Sequence, residues 1–323
     1  MSALGLIRRR LFGIPSAESV FRRPGFAPEA WLRFQPVAHS LVEGYHATLE
    51  DSRLSVLGPR LDAVESTVQG FAYEGAGMGL AALDLVGPWR KRLSEFVSGP
   101  GAHHIYPVYV GVGLAFARMH RSPEQQLKNL DPLLGPVVID GYGFHEAFFA
   151  YRRTIVEHRI PRVLSPWARR LFDQGLGRAI WFSAGAVIDR VADTIAGFPA
   201  TRHADLWSGV GLASAYGGGT DTASLLRLLA VAGAYRTQLA RGAATAAWGR
   251  DMAGNQAAHT AMSCELICGM PAASAIAVLN DARRGLPYGG PESAYEIWRS
   301  RTEAGFATVL HEATPLAGPA GGP

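Results

Sequence analysis

The sequence predicts a mainly α protein: tandem-duplicated helical units of about 100 residues packed into one globular body. Three observations carry this expectation. Apolar residues recur at helical spacings, glycine-rich blocks return in order at a near-constant lag, and the composition supports a large core.

The periodicity comes first. Leu61, Val64, Val68 and Phe71 recur at spacings of three and four, as do Ile188, Val191, Ile195 and Phe198. Leu225, Leu228, Leu229, Ala232 and Tyr235 form a further stripe. Each reads as the inward face of an amphipathic helix. Prolines at 88, 107, 132, 136, 161, 166 and 199 divide the pattern at plausible connections.

The repeat comes second. Gly44 and Gly141 stand 97 residues apart, Gly75 and Gly175 100, and Gly113 and Gly211 98. Around them Glu43-Gly-Tyr45 answers Asp140-Gly-Tyr142, Glu74-Gly-Ala-Gly77 answers Gln174-Gly-Leu-Gly177, and Gly111-Val-Gly-Leu-Ala115 answers Gly209-Val-Gly-Leu-Ala213. A broken third echo follows at Gly233-Ala-Tyr235 and Arg241-Gly242. The expected organisation is a basic segment over 1–34, repeat units over 35–135 and 136–228, a degenerate third unit over 229–310 and a flexible tail over 311–323. Glycine inside a helix costs about 1 kcal/mol against alanine, so these glycines need compensation. Either close helix–helix approach or a ligand lying against bare backbone would supply it.

Composition closes the fold argument and bounds function. Apolar residues make up 48% of the 323 and charged residues 18%, enough apolar content to bury a core. The net charge of +4 is accounted for by Arg8, Arg9, Arg10, Arg22 and Arg23, so no body-wide basic face for nucleic acid is implied. The two cysteines, Cys264 and Cys268, exclude a disulfide framework and fit a reducing cytoplasm. The N-terminus shows no apolar signal core, and its arginines read as a surface first turn. The uncharged run from Ser98 to Ala117 contains two histidines and two prolines, a poor bilayer helix.

The densest chemical cluster is Asp140-Gly-Tyr142-Gly-Phe144-His145-Glu146. An acid, a phenol, an imidazole and a second acid lie within seven residues, fit for acid/base work or for a helix start with Asp140 near its N-terminus. His103 and His104 add two adjacent imidazoles. The candidate catalytic set is therefore His145, Glu146, Tyr142, Asp140, His103 and His104. No metal-ligand spacing is present, and a metal would need ligands from separate segments, for instance His46, His103 or His104, His145 and Glu74. The cofactor is unknown, with a metal ion left open. Gly111-Val-Gly113 lacks the third glycine of a dinucleotide loop. Gly75, Gly77, Gly175, Gly177, Phe144, Trp181 and Trp207 are the candidate walls of an apolar substrate cavity; core filling is the alternative role for the aromatics.

The runs Phe71-Ala-Tyr-Glu-Gly-Ala-Gly-Met, Gly99-Pro-Gly-Ala-His103-His-Ile-Tyr, Asp140-Gly-Tyr-Gly-Phe-His-Glu, Phe172-Asp-Gln-Gly-Leu-Gly-Arg178-Ala-Ile-Trp, Arg202-His-Ala-Asp-Leu-Trp-Ser-Gly-Val-Gly-Leu and Ala253-Gly-Asn-Gln-Ala-Ala-His259-Thr resemble the UnbL-type family of enediyne gene clusters. The resemblance extends from about Arg8 to Phe306. It implies an actinobacterial biosynthetic protein of antibiotic-type secondary metabolism, acting on a linear polyene from an iterative polyketide synthase. The implied role is a part in the oxidative conversion of that polyene to the enediyne core. The implied partners are the hydrophobic polyene itself, an UnbV-type protein and a membrane-embedded UnbU-type protein. The expected location is the cytoplasm, with peripheral membrane association through a partner. The family supplies no catalytic residues to carry over. Two readings therefore stand: a catalytic subunit, or a non-catalytic polyene-binding or scaffold protein that docks those partners.

Overall fold

A computed structural model describes residues 3–87, 91–288 and 293–312. The protein is all-helical and forms one globular body, with no strand among the described residues. In chain order the helices are α1 (Ala3–Phe12), α2 (Glu18–Phe21), α3 (Pro28–Glu50), α4 (Leu54–Asp62), α5 (Ser66–Val86), α6 (Arg92–Val97), α7 (Ile105–Arg118) and α8 (Val137–Phe149). They continue with α9 (Pro166–Ser183), α10 (Ile188–Ala196), α11 (Ala200–Gly217), α12 (Thr222–Ala232), α13 (Arg236–Ala253), α14 (Ala258–Ser263), α15 (Ala272–Arg283) and α16 (Ala294–Glu312).

Seven of these make the architecture. Helices α3, α5, α7, α8, α9, α11 and α13 pack side by side in sequence order. Every neighbouring pair meets through two reciprocal glycines. A Cβ on Gly44 would fall 1.9 Å from the Ala72 carbonyl oxygen, and one on Gly75 1.9 Å from that of Leu41. The same exchange joins Gly77 with Gly111, Gly113 with Gly141, Gly143 with Gly175, Gly177 with Gly209, and Gly211 with Gly242. No side chain fits there, which explains why each middle helix keeps a Gly-x-Gly pair despite its helix-propensity cost.

The glycine interfaces thus recur once per helix, and the lag near 98 spans three of them. The expected unit boundary at 135/136 lies between α7 and α8, which meet as the other pairs do, and the boundary at 228/229 falls inside α12. The third echo is the end of the row: α13 needs only Gly242 because its other side carries no seventh glycine partner.

Two further sequence expectations change. The stripe from Leu61 to Phe71 spans two helices, broken at Ala63–Glu65, where the Glu65 carboxylate accepts from the Thr67 amide at 3.0 Å. Pro107 sits in the first turn of α7, where proline is tolerated, and not at a connection. Pro88 and the tail beyond residue 312 lie outside the described residues.

The row curls back on itself. The Arg250 guanidinium of α13 donates to the Thr67 carbonyl at the start of α5 and to the Tyr216 carbonyl of α11, at 2.7 and 2.6 Å. Phe71, Tyr106, Phe182 and Tyr216 fill the space within, and α15 and α16 pack against α13. Cys264 and Cys268 are buried in a five-residue π turn, with the Cys268 thiol donating to the Ala240 carbonyl.

Candidate functional site

The glycine row carries a second regularity. The residue just before the first row glycine of a helix is polar in α5 (Glu74), α8 (Asp140), α9 (Gln174), α11 (Ser208) and α13 (Arg241), and all five are buried. Close backbone approach brings these side chains together. Arg241 Nε donates to Ser208 Oγ at 3.2 Å, Ser208 Oγ to Gln174 Oε1 at 3.4 Å, and Gln174 Nε2 to Asp140 Oδ2 at 2.8 Å. One turn after Gln174, Arg178 donates to Asp140 Oδ1 and lies 3.8 Å from Glu74 Oε2. A chain of hydrogen bonds from α13 to α8 and α9, closed by the Arg178–Glu74 ion pair, therefore reaches α5 through the interior.

Its electrostatics follow from burial. Burial pushes the Glu74 carboxyl up to about 7, against the pull of Arg178. Burial alone would lower Arg178, but Asp140 and Glu74 hold it charged and above its ordinary value. Arg241 is pushed down to about 10 by burial and by Arg299 beside it. The chain ends in a cluster formed with α16. There Asp205 pairs with Arg299, Arg241 and Arg170, and Glu296 pairs with Arg299 and Arg170. The cavity between Phe71, Glu74, Tyr106, Val110, Arg178 and Tyr216 amounts to about 20 Å³, room for a single water.

The Asp140–Glu146 cluster divides across α8. At 100° per residue, Tyr142 and His145 point away from Asp140. Asp140 and Phe144 turn inward to Arg178, whose guanidinium stands 5.1 Å over the Phe144 ring. His145 and Glu146 turn to the other side, with His145 Nδ1 3.7 Å from Glu146 Oε1 and the ring 4.6 Å from that of Phe149. Arg153 pairs with Glu146, and Arg23 stacks on Phe149. Burial lowers His145 although Glu146 opposes it; Glu146 itself is held below its ordinary value by His145 and Arg153, outweighing its burial. Tyr142 is raised by burial and by the Glu146 charge.

The remaining candidates lie apart. His103 is exposed, whereas His104 stacks on Tyr73 at 3.8 Å and is pushed down to about 4 by burial. His46 accepts from the Ile14 amide at 3.0 Å and helps to seat the N-terminus, far in function from Glu74 on its charge chain. Among the described residues no three His, Cys, Asp or Glu side chains gather as a metal site. Gly75, Gly77, Gly175 and Gly177 face the carbonyls of neighbouring helices, so their bare backbone is taken up by packing. Trp181 is buried with its indole donating to the Gly218 carbonyl at 3.1 Å, and Trp207 is buried on α11. Sequence reading missed Arg178, Ser208, Arg241 and Gln174 as one set. The polar residue recurring before the first row glycine of five helices was the signal for five of the six chain members, Arg178 excepted.

A groove of about 780 Å³ lies elsewhere, between α5, α6, α7 and residues 124–131. Leu85, Leu93, Val97, Ile105 and Phe116 give it apolar walls, and Asp84, Lys91, Gln126 and Asn129 stand among them. Its acids are occupied: Asp84 takes Arg92 and the Leu93 amide, and Asp131 takes the amides of Leu133 and Leu134. A second cavity of about 330 Å³, bordered by the same Ile105 and Asp131, continues toward Trp248, Met252 and Arg283.

Neither the curated proteins nor the solved structures contain a match to this chain. A family model does match, over residues 3–306, and the chain belongs to that family, the protein of unknown function DUF1702.

Proposed function

We propose that the protein acts in enediyne biosynthesis as the component that holds the linear polyene during its conversion to the enediyne core, with the polyene lying in the groove between α5, α6 and α7. The observation that carries this reading is the groove itself. Its 780 Å³ falls in the range of small-molecule sites, and its walls are aliphatic and aromatic where a polyene needs them. The resemblance of the Gly75, Asp140, Gln174 and Arg202 runs to UnbL-type proteins supplies the pathway. The same reading makes the UnbV-type and membrane UnbU-type proteins the partners to which the bound chain is presented.

Binding is favoured over catalysis by where the acid/base groups stand. The groove's two carboxylates already hold protein donors, and His145 with Glu146 faces Arg153 and Phe149 on α8. The glycine row then serves as a rigid frame for the groove.

Titration of the purified full chain with a conjugated linear polyene, followed by the shift of its absorption bands, tests this. Saturable binding is expected, with Val97→Arg weakening it at least about tenfold by placing a charge on the apolar wall. His145→Ala should bind as the parent does. No saturable binding, or loss with His145→Ala but not with Val97→Arg, would move the site away from the groove.

A further inference from the structure

We propose that α1 is a membrane-surface anchor, with an outward stripe of Leu4, Ile7 and Leu11, edged by Arg10, that enters the headgroup layer of an anionic bilayer. The inference stands apart from the groove and rests on the orientation of α1.

Helix α1 is held by its polar and glycine side. A Cβ on Gly5 would fall 2.0 Å from the Glu50 carbonyl oxygen, so the helix lies against the end of α3. Arg9, one turn on, pairs with the buried Glu50 carboxylate. The Phe12 carbonyl accepts from the Tyr45 hydroxyl at 3.0 Å, and the Ile14 amide donates to His46. These contacts fix which way the other face looks. At 100° per residue Ile7 lies opposite Gly5 and Arg9, with Leu4 and Leu11 one turn either side.

A helix on a globular protein ordinarily turns its apolar stripe inward. Here the stripe is outside: Leu4, Ile7 and Leu11 are 55, 54 and 68% exposed, and Leu6 and Phe12 are 53 and 55% exposed. Single exposed apolar residues are common and need no explanation. Five of the twelve large, strongly exposed hydrophobics among the described residues fall on this one ten-residue helix, and Leu4, Ile7 and Leu11 line one side of it, so the stripe is a patch and not scatter.

Charge selects the occupant. From Ala3 to Ala17 the chain has no acidic residue, while Arg8, Arg9 and Arg10 are consecutive. Glu50, the acid that α1 meets, is shared between Arg9 and Arg60. Arginine beside an apolar stripe suits a surface of anionic lipid headgroups over acyl chains. A second copy of the chain would bring like charges together, because a two-fold contact sets the same patch against itself. The contact is with the surface and not across it: ten residues span about 15 Å, half a bilayer core. Among the described residues no single helix is long and apolar enough to cross a membrane; the bent pair 258–268 and 272–283 passes by length and composition only.

Sedimentation of the full chain with sucrose-loaded vesicles tests the anchor. Vesicles of phosphatidylcholine with phosphatidylglycerol should carry the protein into the pellet, pure phosphatidylcholine should carry at least about fivefold less, and raising the salt to about 0.5 M should release most of it. The variant Leu4→Ser/Ile7→Ser/Leu11→Ser, whose changes face solvent and leave the melting temperature in place, should stay in the supernatant. A Leu11→Trp variant should show a blue-shifted emission only with the anionic vesicles. The proposal is overturned if the parent chain ignores anionic vesicles or if the triple-serine variant pellets equally well. It is also overturned if light scattering shows a dimer that the triple variant dissolves while neither binds vesicles, which would assign the stripe to a second copy.

Discussion

The two ends of the molecule are held together by different physics. Along the row from α3 to α13, helices touch backbone to backbone through paired glycines, with carbonyl oxygens where a Cβ would stand. At the far end α16 meets the row through large side chains and charges. Trp298 packs edge-on against Trp248 at 5.1 Å, and Arg299 and Glu296 join Asp205 and Arg170. The first kind of contact depends on shape alone and tolerates no added atom. The second depends on polar groups finding one another out of water, where removing one partner is costly but replacing the group by a well-packed apolar one can be neutral. The row is therefore the rigid part, and α16 the part whose attachment is chemically adjustable.

Three measurements break or sharpen that comparison. Gly111→Ala places a methyl 1.8 Å from the Glu74 carbonyl oxygen, so α5 and α7 must separate. Chemical denaturation should show a loss of about 3 kcal/mol or more, at or beyond the upper part of the range for overpacked cores. A loss under 1 kcal/mol would mean that the row yields and is not rigid. Arg299→Met removes the α16 cation of the charge cluster but leaves Asp205 with Arg241 and Arg170, and Glu296 with Arg170. A smaller loss of about 2 kcal/mol is expected by the same measurement, since the buried acid keeps two partners. Gly249→Ala in α13 has the opposite sign. It is a helical glycine outside the interlock, with nothing within 4 Å of its Cβ direction, and alanine should raise stability by roughly 0.5–1 kcal/mol. Thermal melts that placed Gly249→Ala below the parent would contradict the reading that the fold does not need this glycine.

The helical class was legible in the spacing of Ile188, Val191 and Ile195, because one face of α10 is buried and the rest is wet. The glycine repeat was legible too, but its period was not. Neighbouring row glycines are separated by unequal stretches: 36 residues from Gly75 to Gly111, 30 from Gly111 to Gly141, 34 from Gly141 to Gly175. Connections of different length blur a one-helix period, whereas three helices together return near 98. The site was less legible. Asp140 was marked by its neighbours in sequence, yet its working neighbours are Gln174 and Arg178 on α9. A helix rotates each residue by 100°, so four polar residues within seven positions need not share a face, and Tyr142 and His145 do not share that of Asp140. The exposed stripe of α1 was hidden for the same reason, since only the anchor at Gly5 and Arg9 decides which side of the helix looks outward.

The serial packing of the row also bears on how the chain is made. Each row helix finds its main partner in the helix just before it, 28 to 34 residues earlier for the glycines that meet. Local contacts of this kind form fast and do not wait for distant segments. The row can therefore assemble as the chain leaves the ribosome, each new helix docking on the last. What must wait is the closing bond set of Arg250, which joins α13 to the start of α5 across 183 residues. Until Arg250 has been synthesised the growing row is an open strip with a bare end, and the nascent chain is most in need of protection during that interval.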